Sequence, residues 1–229
     1  MKFLNYLIFI PARSGSKGVK NKNLKLLKKK PLIFYTLKIA KQISKKIKSD
    51  IFISTDSKKI LKYCKNEIKI GNYLRPKNLS NDSSTILDTI SHSLEYLKKM
   101  KKNYDSIIVL QPTSPARKFK ELYSAIKVYE RKKLVSLVSV CPTREHPNEI
   151  IRLRKNNFKY LLKPNNFKQR QQYKKYFFID GDFYITNLNF LKKSKTLLSE
   201  KKTWPFITKK TWPIDIDYLE DFKVAENFI

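Results

Sequence analysis

The sequence predicts an α/β domain in which a mostly parallel β-sheet carries helices on both faces. Short apolar runs alternate along the chain with longer segments of helical periodicity, which is the pattern of strand–helix–strand units. Several apolar runs end in polar loops, and ligands bind such loops at the carboxyl edge of an open parallel sheet. The chain has 229 residues, of which 41% are hydrophobic, enough to bury one core. We therefore expect residues 1–229 to form a single domain.

The first part of the chain contains two predicted strand–helix units. Tyr6–Ile10 is a continuous apolar run, as in buried parallel strands. Pro31 suits the first turn of a helix, and apolar residues recur after it at near-helical spacing. Asp50–Ser54 predicts a second strand and Lys58–Asn66 the helix that follows. A third short strand is an option near Ile68–Ile70.

The middle of the chain continues the same alternation. Thr85–Met100 has the periodicity of an amphipathic helix, and Ser106–Leu110 is another buried apolar run. Lys120–Arg131 then predicts a helix and Val135–Val140 a strand. Repeated strand–helix units of this kind place helices on both faces of a doubly wound sheet.

The pattern changes over residues 142–176, which are polar and irregular with weak apolar alternation. We interpret this segment as an excursion from the sheet. Apolar runs return at Phe177–Ile179 and Phe183–Ile185. Trp212–Ile216 predicts a short final strand and Tyr218–Phe228 a closing helix.

The charge of the chain is strongly positive, at +31. Such a charge suits nucleic-acid binding, but only eight of the 50 basic residues are arginine and the lysines are spread along the chain. We interpret the charge as a solvated lysine surface and expect no nucleic-acid partner. The apolar runs are too short to span a membrane. Cys64 and Cys141 offer no disulfide framework, so we expect a cytoplasmic protein.

The first candidate site is Ile10–Gly18, IPARSGSKG, which we call the phosphate loop. Two of only four glycines in the chain lie in it. Gly15 and Gly18 permit close backbone approach, and their N–H groups can cradle phosphate oxygens. Arg13, Lys17 and Lys22 supply cations. The loop matches neither the Walker nor the dinucleotide pattern, and an ordinary loop in a lysine-rich chain is the alternative.

A second candidate is Leu110–Arg117, LQPTSPAR, which we call the Gln111 loop. It follows a buried strand, and its two prolines make it rigid. Gln111 and Arg117 can present an amide and a cation to a ligand, although a purely structural turn accounts for the pattern equally well.

A third candidate is Ile214–Asp217, IDID, which we call the acid segment. In extended backbone, residues two apart share one face, so Asp215 and Asp217 can converge on one cation. Oxygen ligands of this kind suit Mg²⁺. The alternative is an exposed acidic pair neutralised by lysines.

Taken together, these segments resemble a known family. IPARSGSKG with KNKN, ISTDS, LRPKNLSND, LQPTSPAR, RQQY and IDIDYLEDFKVAE occur in this order. From Phe9 to Glu226 the chain resembles the acylneuraminate cytidylyltransferases, which comprise CMP-sialic acid synthetases and their legionaminate and pseudaminate relatives. The resemblance implies a nucleotide-diphospho-sugar transferase-like fold, a homodimer formed through the excursion, and CTP and a nonulosonic acid as substrates.

The resemblance also assigns roles to individual residues. Nucleotide contacts fall on Arg13, Ser14, Gly15, Ser16, Lys17, Lys22, Asn23, Arg75 and Thr85. Sugar contacts fall on Gln111, Arg170, Asp180 and Tyr184. Catalysis falls on Lys17, Lys22, Gln111, Asp215 and Asp217, and the two aspartates also hold Mg²⁺.

The choice of sugar stays open at this stage. Many relatives have Asn-Gly where this chain has Asp180-Gly181, and Asp182 adds a further acid beside it. His146 is an additional candidate for sugar contact. The intact KNKN and RQQY segments favour a sialic or legionaminic type over a pseudaminic type. The alternative within the enzyme class is a synthetase for the eight-carbon acid Kdo, whose phosphate loop continues into an Arg-Leu-Pro-Gly-Lys-like stretch that is absent at Gly18–Asn23.

Overall fold

A six-stranded sheet forms the centre of the protein. The computed structural model describes residues 4–15, 18–81, 83–162, 174–210 and 212–229. The sheet strands are β1 (Tyr6–Pro11), β4 (Ser49–Ser54), β5 (Ser106–Val109), β6 (Ser136–Pro142), β9 (Phe177–Asn187) and β10 (Thr203–Ile207). Two hairpins lie outside it, β2 (Leu26–Leu27) with β3 (Lys30–Pro31) and β7 (Ile151–Arg154) with β8 (Asn157–Tyr160). The α-helices are α1 (Leu32–Ser44), α2 (Lys58–Glu67), α3 (Ile86–Lys99), α4 (Phe119–Arg131), α5 (Leu188–Ser194) and α6 (Leu219–Ala225).

The sheet is mostly parallel, as predicted. Its strand order is β10-β6-β9-β5-β1-β4, and β1 pairs in parallel with β4 and β5, as β10 does with β6. β9 is antiparallel to β5 and β6. The chain leaves β6 at the carboxyl edge and re-enters the sheet at that same edge, where Pro142 pairs with Phe177. β9 must therefore run in the opposite direction to β6.

Helices cover both faces of the sheet, which confirms the predicted doubly wound arrangement. Apolar residues of α1, α2 and α4 pack with Ile8 and Ile10 of β1 on one face. Residues of α3 and α5 pack with Leu7 and Phe9 on the other. Successive side chains of a strand point to opposite faces, so the continuous apolar run of β1 is buried by both layers.

The strand predictions fail at two places. Ile68–Ile70 is not a strand. Trp212–Ile216 is not a sheet strand either, although Ile216 donates its backbone N–H to the Thr113 carbonyl at 2.9 Å. The edge position belongs to β10, whose Pro205 obscured it in the sequence. A proline removes one hydrogen-bond donor, which an edge strand tolerates.

The excursion contains the hairpin of β7 and β8. Leu153 and Phe158 face each other across it and are 78% and 53% exposed. Ile151 and Tyr160 form the next pair on the same face and are also exposed. One face of this ribbon is therefore apolar and exposed in the chain as described. Among the described residues no helix is both long and apolar enough for a membrane span.

Candidate active site

The three candidate segments meet at one cavity of about 660 Å³ beside the carboxyl ends of β1 and β5. Eight predicted site residues line it: Arg13, Lys22, Asn23, Arg75, Thr85, Gln111, Asp215 and Asp217. Ser16, Lys17 and Arg170 are outside the described residues. Cations, an amide and two carboxylates thus converge from sequence positions more than 200 residues apart.

Hydrogen bonds from other segments hold the phosphate loop in place. Ser14 donates its backbone N–H and its hydroxyl to the two carboxylate oxygens of Asp56, at 2.7 and 2.6 Å. Asn23 donates through Nδ2 to the Arg13 carbonyl at 2.9 Å. The Arg13 guanidinium donates to the Asn81 carbonyl at 3.2 Å. The loop therefore presents Arg13 at the cavity wall from a fixed backbone.

Gly18 brings the phosphate loop against the acid segment. A Cβ atom at this position would lie 2.0 Å from the carbonyl oxygen of Asp217, so a side chain does not fit and only glycine permits the approach. Gly15 differs, because a Cβ atom there would meet nothing within 4 Å. The proposal that Gly15 gives a phosphate room to approach stays a prediction.

Arg75 is a second cation that lines the cavity. It is buried, and its guanidinium donates to the hydroxyl of Ser54 at 3.1 Å and to the Ser54 carbonyl. Burial lowers the pKa of Arg75, and the negative charge of Asp56 opposes that effect. The side chain is still a cation at neutral pH, since arginine titrates above 12 in water.

Lys22 connects the residues after the phosphate loop with the acid segment. Its Nζ donates to the carbonyl of Ile216 at 2.6 Å and to the carboxylate of Asp217 at 2.9 Å. Lys22 is 8% exposed, whereas the Asp217 side chain is 64% exposed. The ion pair therefore fixes Asp217 from the protein side and leaves it accessible from the cavity.

The acid segment is anchored by its isoleucines. Ile214 and Ile216 are buried in a small apolar cluster with Val19 of the phosphate-loop side and Phe222 of α6. The alternating residues Asp215 and Asp217 line the cavity, as expected for extended backbone. The carboxylate of Asp221 accepts the backbone N–H groups of Asp217 and Tyr218 at 2.8 and 2.7 Å, which fixes the turn into α6.

The surroundings of Asp215 disfavour its negative charge. Asp215 is open to the cavity but enclosed by protein on its other sides, and this burial raises its pKa. The neighbouring charge of Asp217 raises it further, while a hydrogen bond with Thr113 and the charge of Lys22 lower it. A cation bound from the cavity would relieve this repulsion.

The two carboxylates fit a magnesium ion. They supply hard oxygen donors on one cavity wall, next to the cations that suit a triphosphate. Within the described residues no group of three or more metal-ligating side chains occurs. Mg²⁺ commonly takes only one or two carboxylates and fills its remaining positions with water and substrate phosphates, so two aspartates are sufficient.

The Gln111 loop is held from below by Arg117. This buried guanidinium donates to the carbonyls of Gln111 (2.9 Å) and Asp182, and to the hydroxyl of Thr36 at 3.3 Å. Gly181, with φ +71°, faces the amide: a Cβ atom there would lie 3.6 Å from Gln111 Oε1. Arg117 thus has a structural role in this loop, and Gln111 carries the group that faces the cavity.

Two predicted sugar contacts do not line the cavity as described. The Asp180 carboxylate accepts from the hydroxyls of Ser139 and Thr208 and from a backbone N–H. Tyr184 belongs to β9 and packs against the apolar cluster on the face covered by α3 and α5. Burial raises its pKa, and the charges of Asp180 and Asp215 add to the rise. Asp182 binds Lys210 at 2.6 Å within the protein rather than facing a ligand.

His146 uses its ring locally. Its Nδ1 accepts the backbone N–H of Asn148 at 3.2 Å, and its Nε2 lies 3.0 Å from the Lys174 carbonyl. The ring also packs edge-on against Tyr176. These contacts favour a structural role within the excursion over sugar contact.

Sequence reasoning missed several residues of the site. Asp56 holds the phosphate loop, and Thr113 binds Asp215. Further cavity residues that were not predicted are Leu79, Asn81, Ser84, Ile86, Thr89 and Tyr218. The sequence carries a signal for some of them, since Asp56 lies in ISTDS, and Leu79 and Asn81 lie in LRPKNLSND.

Comparison with known proteins identifies the family. The model of a family described as cytidylyltransferase matches residues 7–227. The chain belongs to the cytidylyltransferase family. One relative is the CMP-N,N'-diacetyllegionaminic acid synthase of Legionella pneumophila, with 30% identity over 99% of this chain and 97% of that protein.

Other similar proteins differ from this chain in length and in sequence identity. The N-acylneuraminate cytidylyltransferase of Streptococcus agalactiae serotype V is 29% identical over 94% of this chain, which spans only 51% of that relative's length. Among solved structures, a CMP:2-keto-3-deoxy-manno-octonic acid synthetase complexed with CTP superimposes with a TM-score of 0.67 at 15% identity, covering 97% of each chain. That likeness shows that the two proteins share a fold.

Proposed function

We propose that this cytidylyltransferase transfers CMP from CTP to a nonulosonic acid of the sialic or legionaminic type, releasing pyrophosphate. The observation that carries the proposal is the single cavity where the phosphate loop, Arg75, Gln111 and the acid segment converge. Two of the relatives named above support this choice, since one is an N-acylneuraminate cytidylyltransferase and the other a CMP-N,N'-diacetyllegionaminic acid synthase.

CTP would occupy the end of the cavity lined by Arg13, Asn23, Arg75 and Thr85. Positioned cations and backbone N–H groups stabilise the charge that develops on a phosphoryl group during transfer, and this accounts for most of the catalysis in such reactions. Lys17 adds a further cation to the loop in this proposal. The sugar would lie beside Gln111, whose amide orients it.

In the chemical step, the anomeric hydroxyl oxygen of the sugar forms a bond to the α-phosphorus of CTP. The bond from that phosphorus to the bridging oxygen of the β-phosphate breaks, and pyrophosphate leaves with the electron pair. A carboxylate oxygen of Asp215 or Asp217 accepts the hydroxyl proton. Lys22 keeps Asp217 directed at the reacting groups through its 2.9 Å ion pair.

Asp215 and Asp217 would hold Mg²⁺ in the proposed enzyme. When bound, the ion supplies charge neutralisation at the α-phosphate and lowers the pKa of the attacking hydroxyl.

Two further features belong to this proposal. A homodimer formed through the excursion would cover the exposed apolar face of the β7–β8 hairpin. A cytoplasmic location agrees with the cysteines, since Cys64 and Cys141 are both unpaired and buried.

The test is pyrophosphate release with a panel of substrates. The protein is incubated with Mg²⁺, each of the four nucleoside triphosphates, and neuraminic, legionaminic and pseudaminic acids or Kdo. We expect release with CTP and a neuraminic or legionaminic acid only. Activity with Kdo alone would support the eight-carbon alternative, and silence across the panel would refute the cytidylyltransferase reaction.

A further inference from the structure

The loop after β4 connects Arg75 with the phosphate loop. We call Ser54–Asp56 the bracket. On one side, Ser54 accepts two hydrogen bonds from the Arg75 guanidinium, and the Thr55 carbonyl accepts the backbone N–H of Arg75 at 2.7 Å. On the other side, the Ser54 carbonyl accepts the N–H of Ala12 at 2.9 Å. The bracket therefore holds Arg75 and the start of the phosphate loop at a fixed separation.

Asp56 makes the second connection to the phosphate loop. One of its carboxylate oxygens accepts the backbone N–H of Ser14, and the other accepts the Ser14 hydroxyl. Both distances lie in the range of strong, charge-assisted hydrogen bonds. A backbone N–H and a side-chain hydroxyl of one residue, held by one carboxylate, fix both the position and the orientation of the loop at Ser14.

These contacts change the role of Ser14. Its hydroxyl proton is donated to Asp56, so it is not available to a phosphate oxygen. Asp56 does not line the cavity as described, and its two oxygens face Ser14 rather than a ligand. Ser14 and Asp56 thus belong to the support of the phosphate loop, one layer behind the groups that face the nucleotide.

The negative charge of Asp56 lies close to the cations of the cavity. A carboxylate close to a triphosphate site repels the substrate, which disfavours an acid without a compensating role. Asp56 lies close enough to Arg75 for its charge to stabilise that guanidinium, and the Arg13 charge acts on the same group in the opposite sense. Asp56 therefore reduces the repulsion between two cations that must share one substrate.

We propose that Asp56 is a positioning residue for CTP, which sets the phosphate loop through Ser14 and holds Arg13 and Arg75 together before the nucleotide binds. This inference rests on the proposed function. In this proposal Asp56 increases the affinity for CTP and makes no contact with the sugar. Its loss is therefore expected to act on one substrate only.

The test compares Asp56→Ala, Asp56→Asn, Ser14→Ala and the Asp56→Ala/Ser14→Ala double variant with the wild type. Hydrogen bonds to a charged group are worth enough to change binding by about tenfold or more. We expect Asp56→Ala to raise the KM for CTP by about that factor while the KM for the sugar acid stays unchanged. The double variant should be no worse than Asp56→Ala, because both changes remove the same connection.

Asp50→Ala is the matched control. Asp50 lies at the other end of β4, where its carboxylate accepts hydrogen bonds from Lys102 and Tyr104 at 3.0 and 2.7 Å. The substitution removes two hydrogen bonds to a carboxylate near the start of β4, whereas Asp56 follows the end of that strand at the cavity. We expect lowered thermal stability and an unchanged KM for CTP, which separates positioning from a general loss of stability.

Calorimetric titration with CTP alone, without sugar, keeps the two proposals distinguishable. A wild type that binds no CTP would overturn the proposed function itself. A wild type that binds CTP, with Asp56→Ala binding it equally well or with the Asp56→Ala and Ser14→Ala effects multiplying, would overturn the role of Asp56. If Asp56→Ala does not fold, Asp56→Asn and Ser14→Ala decide the question, since each should weaken CTP binding in the same direction by a smaller factor.

Discussion

Several single residues fix the backbone that carries the charged groups of the site. Gly18 permits contact with the Asp217 carbonyl, Lys22 binds the same segment, and Asp221 holds its next turn. Three independent contacts therefore determine where Asp217 lies. Catalysis by electrostatic stabilisation depends on groups that are held in place before the substrate arrives, and the acid segment meets that condition.

The proposed metal role of the acid pair gives a prediction at this scale. Asp215→Asn and Asp217→Asn each remove a hard anionic oxygen ligand. We expect turnover to fall by about 10²-fold or more in at least one variant and the Mg²⁺ concentration for half-maximal rate to rise. The measurement is turnover as a function of Mg²⁺ concentration.

Glu220→Gln is the control for that experiment, because this exposed acid follows the same segment and does not line the cavity. It should leave both turnover and the Mg²⁺ requirement unchanged, and circular dichroism verifies folding. Two folded aspartate variants with normal rate and normal metal dependence would show that the pair is only an exposed acidic surface.

Whole elements were predicted well where one local pattern decides them. The buried runs of β1, β4, β5 and β6 and the periodicity of α1 to α4 agree with the structure within a few residues. β10 was missed, since Pro205 breaks a strand pattern that only its edge position permits. The acid segment was mistaken for a strand because its alternation of isoleucine and aspartate is the same in both cases. Its isoleucines bury against α6 instead of a sheet.

The sequence predicts those parts of the site whose cavity-facing groups lie in distinct motifs. The phosphate loop, Gln111 and the acid segment were identified from the chain. Asp56 was not, since its partner Ser14 is 42 residues away and the two meet only because β4 pairs beside β1. Register between strands is set by the whole packed sheet, so contacts of this kind are not visible in a single sequence.

The start of α3 provides a prediction at the scale of an element. Thr85 accepts the backbone N–H of Asp88 at 3.1 Å, and Asp88 accepts the N–H and hydroxyl of Thr85, which forms a capping box. Replacing such a cap with alanine costs about 1 kcal/mol. We expect Thr85→Ala to lower the free energy of unfolding at pH 7 by about this amount, measured by urea denaturation.

The same cap should depend on pH through Asp88. Hydrogen bonds from Thr85 hold the pKa of Asp88 below its ordinary value of 3.8. A carboxyl whose pKa is lower in the folded state than in the unfolded state stabilises the protein at pH values above the unfolded pKa. This stabilisation is lost as the pH falls through the folded pKa. The difference in unfolding free energy between wild type and Asp88→Asn should therefore be present at pH 7 and shrink below pH 3.8. Ser91→Ala, at an exposed position of α3, should show no such dependence.

At the scale of the whole molecule, charge and apolar surface act against each other. The chain carries a net charge of +31, which attracts an anionic substrate such as CTP and repels a second copy of the chain. The β7–β8 hairpin has an exposed apolar face formed by Ile151, Leu153, Phe158 and Tyr160. A two-stranded hairpin is only marginally stable by itself, so a covering partner would stabilise it. In a homodimer, apolar contact must overcome the repulsion between two cationic chains.

This opposition makes the proposed homodimer testable through salt. The Debye length falls from about 10 Å at 0.1 M to about 3 Å at 1 M ionic strength, so added salt screens the repulsion without weakening apolar contact. We expect the dissociation constant of the dimer to fall as the salt concentration rises, measured by sedimentation velocity over a range of protein concentrations.

Leu153→Ser and Phe158→Ser should shift the protein to monomer at every salt concentration, because they remove the two facing side chains at the centre of the apolar face. Leu26→Ser, which changes a side chain that is 62% exposed on the β2–β3 hairpin, should leave the dimer intact. A wild type that stays monomeric in high salt, or hairpin variants that dimerise as the wild type does, would show that this face is not the interface.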